Sequence, residues 1–175
     1  MANARVLAHL KSNQDRILAE LIAFAAIPRV STDPAHAADM EAAARWVAAA
    51  LASAGPLAVR TIATPGNPVV YGEWLGAPGK LTVLVYGHYD VQPPDPLNKW
   101  QSPPFTPTLR DGRLYARGVS DDKGPVLIAI NVAEAFLAVA GALPINVKFL
   151  LEGEEEIGSP SLDGFIAEHK ELLAA

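Results

Sequence analysis

Three short segments of this 175-residue chain bring together histidine and carboxylate side chains whose types and spacing suit metal binding. The first is His88-Tyr89-Asp90, where alternate residues of an extended chain point to the same side. The second is Asp121-Asp122, and the third is the acidic run at residues 152–156. Because the chain has no cysteine, a metal here would bind imidazole and carboxylate groups, a ligand set that hydrolytic zinc enzymes use.

Each segment also has a simpler interpretation. His88 is consistent with a surface residue in a loop. Asp121 and Asp122 are consistent with capping of a helix, where aspartate accepts hydrogen bonds from the first turn and interacts favourably with the helix dipole. The glutamate run is consistent with a solvated loop. Position favours one common site, since two segments follow predicted strands and the third begins a helix, and these places meet at one edge of an α/β sheet.

The elements that would position these side chains are predicted from hydrophobic periodicity and from turn residues. Helices are predicted at residues 13–27, 34–54, 123–139 and 161–173, and strands at 58–62, 69–74, 81–86 and 145–151, with a hairpin at 108–115. Strands that alternate with helices predict an α/β fold. We expect three layers, in which a mostly parallel sheet carries helices on both faces.

The composition limits the classes of partner. Half of the residues are hydrophobic and 19% are charged, which is typical of one globular domain. The net charge of −5, without a lysine and arginine cluster, argues against nucleic acid as a partner. No apolar run approaches the roughly 18 residues that span a membrane, so no membrane partner is expected. The lack of cysteine and of a secretory pattern at the N-terminus favours a cytoplasmic location.

The order and spacing of the motifs resemble those of the carnosinase and aminoacylase family of zinc metallopeptidases, peptidase family M20. Its first signature is similar to VLVYGHYDVQP at residues 83–93, and its paired-glutamate motif is similar to EEIGS at residues 155–159. The dipeptidase branch is the most similar to WQSPPF at 100–105, DGRLYARG at 111–118 and DDKGP at 121–125. The close similarity covers about residues 80–160, and it implies a zinc-exopeptidase-like catalytic domain.

The resemblance implies roles for five residues. His88, Asp121 and Glu156 correspond to metal ligands, and Asp121 is the one that bridges two metals. Asp90 corresponds to the carboxylate that orients His88, and Glu155 corresponds to the general base. The resemblance also implies a cis peptide after Asp121 and two Zn²⁺ ions per complete site, with Mn²⁺ or Co²⁺ as alternatives. Glu154, one position before the pair, is expected to be solvated or to support the ligands from outside.

The function that the resemblance implies is hydrolysis of the amide bond of dipeptides or related small peptides by a zinc-activated water. N-acyl amino acid deacylation within the same family, or a non-catalytic binding or assembly module on the same fold, are the alternatives. Family members are longer, with a further acidic ligand, a histidine ligand and a lid domain that dimerises. We therefore expect residues 1–175 to be the N-terminal portion of the catalytic domain of a homodimeric parent. Without the lid and the C-terminal catalytic portion, we expect this portion to be inactive or nearly so.

Overall fold

The computed structural model describes residues 2–175. Its α-helices are α1 (Ala2–Ser12), α2 (Gln14–Ala25), α3 (Ala37–Ser53), α4 (Gly124–Ala140), α5 (Leu162–Glu168) and α6 (Lys170–Leu173). Its strands are β1 (Ala58–Ile62), β2 (Val69–Trp74), β3 (Thr82–His88), β4 (Thr108–Arg110), β5 (Arg113–Tyr115) and β6 (Asn146–Glu152). Shorter turns of helix lie at Pro34–His36, Leu97–Lys99, Val119–Lys123 and Glu155–Ile157. Apart from the C-terminal helix, these bounds confirm the predicted elements to within a few residues, and α1 lies outside them.

The main sheet has four strands in the order β1-β2-β6-β3, and β4 pairs with β5 in a separate hairpin. Only β3 and β6 are parallel, while β1–β2 and β2–β6 are antiparallel. The α/β class is confirmed, but the sheet is mixed rather than mostly parallel. The connection at residues 63–68 makes β1 and β2 antiparallel, because so short a link between neighbouring strands permits only an antiparallel pair. The antiparallel pair of β2 with β6 joins segments that are distant in the sequence. The parallel pair requires a crossover, and α4 supplies it.

Helices cover both faces of this sheet, which confirms the three layers. Side chains alternate along each strand, so neighbouring residues enter different cores. On one face Val70, Phe149 and Leu151 pack with residues of α2, α3 and α4. On the other face Tyr71 and Leu150 belong to a smaller core that α5 and α6 close.

The predicted C-terminal helix at residues 161–173 is broken into α5 and α6 at His169. The break accompanies a contact with the sheet. The Lys148 Nζ of β6 donates hydrogen bonds to the carbonyl oxygens of Leu172 at 2.7 Å and Ala174 at 2.6 Å. A buried lysine on the sheet thus binds carbonyl groups of α6 and of the residue that follows it, a long-range contact that helical periodicity does not reveal.

The segment Val119–Ala140 is 22 residues long and, with a mean hydropathy of 1.6 in its most apolar window, meets the length and composition criteria for a membrane span. The expectation that no apolar run reaches this length was therefore wrong. The core helix of a globular domain passes the same test. Here α4 contributes Val126, Ile130, Ala133 and Leu137 to the larger core against the sheet.

Candidate metal centre

The site lies where the parallel strands β3 and β6 end side by side. His88 pairs in register with Glu152, so the chain that continues to Asp90 leaves the sheet beside the chain that continues to Glu155 and Glu156. Carboxyl ends of parallel strands are the usual ligand-binding edge of an α/β sheet. The segment before α4 reaches the same edge, because the Asp122 Oδ2 accepts a hydrogen bond from the backbone N–H of His88 at 3.1 Å.

The His88 imidazole lies between carboxylates at the centre of this edge. Its Nδ1 is 3.2 Å from Asp90 Oδ1, and its Nε2 is 3.0 Å from Asp121 Oδ1. The Nε2 is also 3.9 Å from Glu155 Oε2. His88 is only 6% exposed and Asp90 is fully buried, whereas the Asp121 side chain is 76% exposed. The Nδ1 side of the ring is therefore buried, and the Nε2 side meets an exposed carboxylate.

These contacts set the charges at the site. Burial alone would lower the pKa of His88, but hydrogen bonding to Asp90 and Asp121 raises it to about 9. Burial alone would raise the pKa of Asp90, yet hydrogen bonds from His88 and from the backbone N–H of Glu156 lower it overall. The raised pKa favours the protonated form of His88 at neutral pH, with a carboxyl group in contact with each ring nitrogen.

The glutamate pair completes a possible ligand group. One donor atom from each of His88, Glu155 and Glu156 lies within 4.8 Å of the other two. Two ligands of one zinc, each about 2.0–2.2 Å from it, are separated by at most about 4.4 Å, so small side-chain movements would suffice to form a site. The Gln92 Nε2 donates to Glu156 Oε2 at 3.0 Å and to the Glu156 carbonyl oxygen at 2.8 Å. Glu156 is thus oriented by its contacts with Gln92.

Glu155 lies in an environment that raises the pKa of its carboxyl group. Burial raises the pKa of its carboxyl group, and the negative charges of Glu156, Asp90 and Asp121 raise it further, while His88 opposes them. A raised pKa brings a carboxylate closer to the working range of a general base at neutral pH. Its side chain is 43% exposed, so it is accessible from solvent.

All five residues selected from the sequence meet around His88. Asp90, Asp121 and Glu155 lie within 4 Å of the ring, and Glu156 belongs to the same 4.8 Å group. The peptide bond between Asp121 and Asp122 is cis, as the resemblance implied.

Two further acidic residues of the run at 152–156 are buried beside the glutamate pair. Glu152 is 3% exposed, and its Oε1 accepts hydrogen bonds from the Tyr86 hydroxyl at 2.6 Å and the Ser159 hydroxyl at 2.7 Å. Glu154 is only 5% exposed, so the solvated alternative for it was wrong. The predicted strand ended at Leu151, whereas β6 continues through Glu152, so Glu152 lies within the strand and not after it.

Comparison with known proteins gives a consistent result. A family model described as Peptidase family M20/M25/M40 matches residues 84–174. Human Beta-Ala-His dipeptidase is 46% identical over 107 residues, which are 61% of this chain and 21% of that protein. Succinyl-diaminopimelate desuccinylase of Acidovorax ebreus is 47% identical over 83 residues, covering 47% of this chain and 21% of that protein.

A solved structure extends the similarity to the fold of nearly the whole chain. The crystal structure of human carnosine dipeptidase 1 superimposes with a TM-score of 0.90 and 34% identity, covering 96% of this chain and 38% of that one. By sequence, the match covers about a fifth of the length of the human dipeptidase and of the desuccinylase, 21% in each case.

Proposed function

The chain belongs to peptidase family M20, and on that premise we propose that it contributes a metal-binding active site for hydrolysis of the amide bond of dipeptides or related small peptides. One observation carries the proposal. The His88 ring has a carboxylate at each nitrogen and a glutamate pair beside it, at the ligand-binding edge of the sheet. Such a cluster concentrates negative charge, which a divalent cation compensates better than solvent does at a partly buried position.

His88, Asp121 and Glu156 are the proposed metal ligands, and zinc is the proposed metal, with two ions in the complete site and Mn²⁺ or Co²⁺ as alternatives. The donor set of imidazole and carboxylates without thiolate suits these ions. The arrangement around His88 Nε2 supports the fit, since this nitrogen and Asp121 Oδ1 lie 3.0 Å apart, within the separation of at most about 4.4 Å that two ligands of one zinc can have.

Asp90 orients His88 for this role. Its buried carboxylate holds the Nδ1–H, which directs the Nε2 lone pair of the neutral ring away from the core and toward Asp121. The other oxygen of Asp90 accepts the backbone N–H of Glu156 at 3.1 Å. One buried carboxylate thereby fixes the ligand His88 and the start of the Glu156 segment together.

Glu155 is the proposed general base. Bound divalent ions supply a Lewis acid for the substrate carbonyl and lower the pKa of the attacking water. Glu155 accepts the proton of that water and then donates it to the leaving amine, so that the carboxylate is regenerated in each cycle. The raised pKa of Glu155 supports this use, because a higher pKa makes the carboxylate a stronger base toward the proton of the attacking water.

Deacylation of N-acyl amino acids is a second candidate, favoured by the similarity to succinyl-diaminopimelate desuccinylase. The chemistry at the metal would be the same, since both reactions hydrolyse an amide. A substrate panel of β-Ala-His, other dipeptides, and N-acetyl and N-succinyl amino acids separates the two functions by their relative kcat/KM values. A non-catalytic binding or assembly module would hydrolyse none of them.

The proposal concerns the complete catalytic unit, of which we propose that residues 1–175 form the N-terminal portion. We propose a homodimeric cytoplasmic parent that acts on small peptides. By itself, the 175-residue chain is proposed to bind metal weakly and to have little or no activity, as the resemblance implies further ligands and a lid domain.

Zinc titration calorimetry tests the metal site in this chain directly. We expect His88→Ala and Glu156→Gln to weaken zinc binding at least about tenfold, while the exposed control Asp163→Asn leaves it unchanged. Where dipeptide turnover is measurable, Glu155→Gln should lower kcat about 10²- to 10⁴-fold and leave zinc affinity nearly unchanged. Equal zinc affinity in the parent chain and His88→Ala would refute the site, and unchanged turnover in Glu155→Gln would refute the assignment of the base.

A further inference from the structure

A third glutamate, Glu154, anchors the loop that carries Glu155 and Glu156 to the rest of the fold by hydrogen bonds. Glu154 immediately precedes the pair, yet its carboxylate is buried. Its Oε1 accepts a hydrogen bond from the backbone N–H of Asn67 at 2.9 Å. Its Oε2 accepts one from the backbone N–H of Ser161 at 3.1 Å. One side chain therefore links the start of the loop to its end and to the β1–β2 connection.

The β1–β2 connection is shaped to receive this carboxylate. A Cβ atom added at Gly66 would lie only 1.6 Å from Glu154 Oε1, so any larger residue there would displace the side chain. The next residue, Asn67, donates its side-chain amide to the Gly153 carbonyl oxygen at 2.9 Å. The connection thus contacts the glutamate loop through both the Glu154 side chain and the Gly153 backbone.

The charge of Glu154 is balanced by N–H groups rather than by a cation. Glu154 takes part in none of the salt bridges within residues 2–175. Burying a carboxylate is unfavourable unless its oxygens receive hydrogen bonds, and those from N–H to an ionised acceptor are among the strong ones. A buried carboxylate that accepts two backbone N–H groups defines the path of both segments that donate them.

The backbone carbonyl group of Glu154 also fixes the conformation of the turn that contains Glu155 and Glu156. The Glu154 carbonyl oxygen accepts hydrogen bonds from the backbone N–H of Ile157 at 3.1 Å and of Ser159 at 2.7 Å. These bonds close the turn Glu155–Ile157, in which the pair lies. The side chain of Glu154 fixes the turn to the body of the fold, and its carbonyl group closes the turn itself.

We infer that Glu154 is a positioning residue, which holds Glu155 and Glu156 in the orientation that binds metal. The part of the inference that concerns metal affinity rests on the proposed function. The effect of Glu154 on the conformation of the loop does not depend on metal. Contacts that orient ligands from outside the ligand set typically change metal affinity about 10- to 100-fold. Glu154 belongs to that class because its carboxylate accepts hydrogen bonds from Asn67 and Ser161 and contacts neither His88 nor a proposed ligand oxygen.

Glu154→Gln is the first test. Glutamine has nearly the same shape, but it presents one acceptor oxygen and one amide donor, so one of the two N–H groups from Asn67 and Ser161 would face a donor. In metal-free chain we expect faster hydrogen exchange at the backbone amides of residues 155–159, with exchange in β2 and β6 unchanged. We also expect Co²⁺ affinity, followed by its visible absorption, to fall about 10- to 100-fold.

Gly66→Ala is the second test, and it leaves the chemistry of Glu154 intact. The added methyl group displaces the carboxylate from the Asn67 N–H, so the same changes in exchange and Co²⁺ affinity are expected. Glu171→Gln, an exposed acid on α6, is the matched control and should behave as the parent chain does. Circular dichroism at the assay temperature identifies the folded variants, and Gly66→Ala decides the outcome if Glu154→Gln unfolds.

The two readouts separate the possible failures. Unchanged exchange at residues 155–159 in the folded variants would overturn the positioning role, whatever the metal affinity. Faster exchange with unchanged Co²⁺ affinity would also overturn it, since Glu154 would then stabilise the loop without positioning ligands. Absence of Co²⁺ binding in the parent chain would refute both the proposed metal site and the inferred effect of Glu154 on metal affinity. Of these outcomes, it is the one that would also contradict the proposed function.

Discussion

Replacing Asp90 with asparagine tests the electrostatic reasoning at the centre of the site. Burial opposes protonation of His88, and the hydrogen bond to Asp90 is the largest of the interactions that favour it. The pKa of His88 is raised from its ordinary value of 6.5 to about 9. Asparagine keeps the size of the side chain but removes the charge. We therefore expect the pKa of His88 in Asp90→Asn to fall by about 1 to 3 pH units, the range for one close opposite charge.

The same contact predicts how stability depends on pH. His88 has a higher pKa folded than unfolded, so its contribution is fully present below pH 6.5 and is lost as the pH rises to about 9. At about 1.4 kcal/mol per pKa unit, this difference is worth about 3 kcal/mol, with little reduction by solvent because the side chain is 7% exposed. In Asp90→Asn, the decrease in the free energy of unfolding that deprotonation of His88 causes at high pH should largely disappear.

The assay is the NMR titration of the imidazole Cε1–H of His88 in chain treated with a chelator, together with urea unfolding at pH 6 and pH 9. Asp163→Asn removes an exposed acid on α5 and is the matched control, in which His88 should titrate as in the parent. A pKa of His88 in Asp90→Asn within about half a pH unit of the parent value would refute the reasoning, because the charge of Asp90 would then not hold the proton.

Two further predictions concern metal and packing. Zinc at about 100 times its Kd should stabilise the folded chain by about 2.7 kcal/mol, which would raise Tm by roughly 5–10 °C in thermal-shift fluorimetry. Addition of a chelator should reverse this rise in Tm. An equal rise in His88→Ala would contradict the proposed metal site. Gly153→Ala should destabilise by about 1–3 kcal/mol in urea, because its Cβ would lie 2.5 Å from the ring of buried Tyr89. Gly164→Ala, with nothing within 4 Å, should be neutral or stabilising, and equal effects of the two substitutions would refute the packing argument.

The sequence predicted most elements because their signals are local. Apolar runs such as the one at residues 145–151 identify buried strands, and Pro28 and Gly55 mark helix ends without reference to the rest of the fold. The direction in which strands distant in the sequence pair with each other has no local signal. The antiparallel pairing of β2 with β6 joins residues about 80 positions apart, such as Val70 with Leu151, and hydrophobic pattern contains no information on that choice.

By itself, the sequence determined the chemistry available to this protein: imidazole and carboxylates in H-x-D and E-E spacing, no thiolate, and the ends of predicted strands as their places. Only the tertiary structure decided which carboxylates are buried and what they contact. Three consecutive glutamates have the same side chain, yet Glu154 turns inward to the N–H of Asn67, 87 residues away, while Glu155 and Glu156 turn toward His88. The physical reason is that desolvation and hydrogen bonding depend on neighbours in space, which only folding brings together.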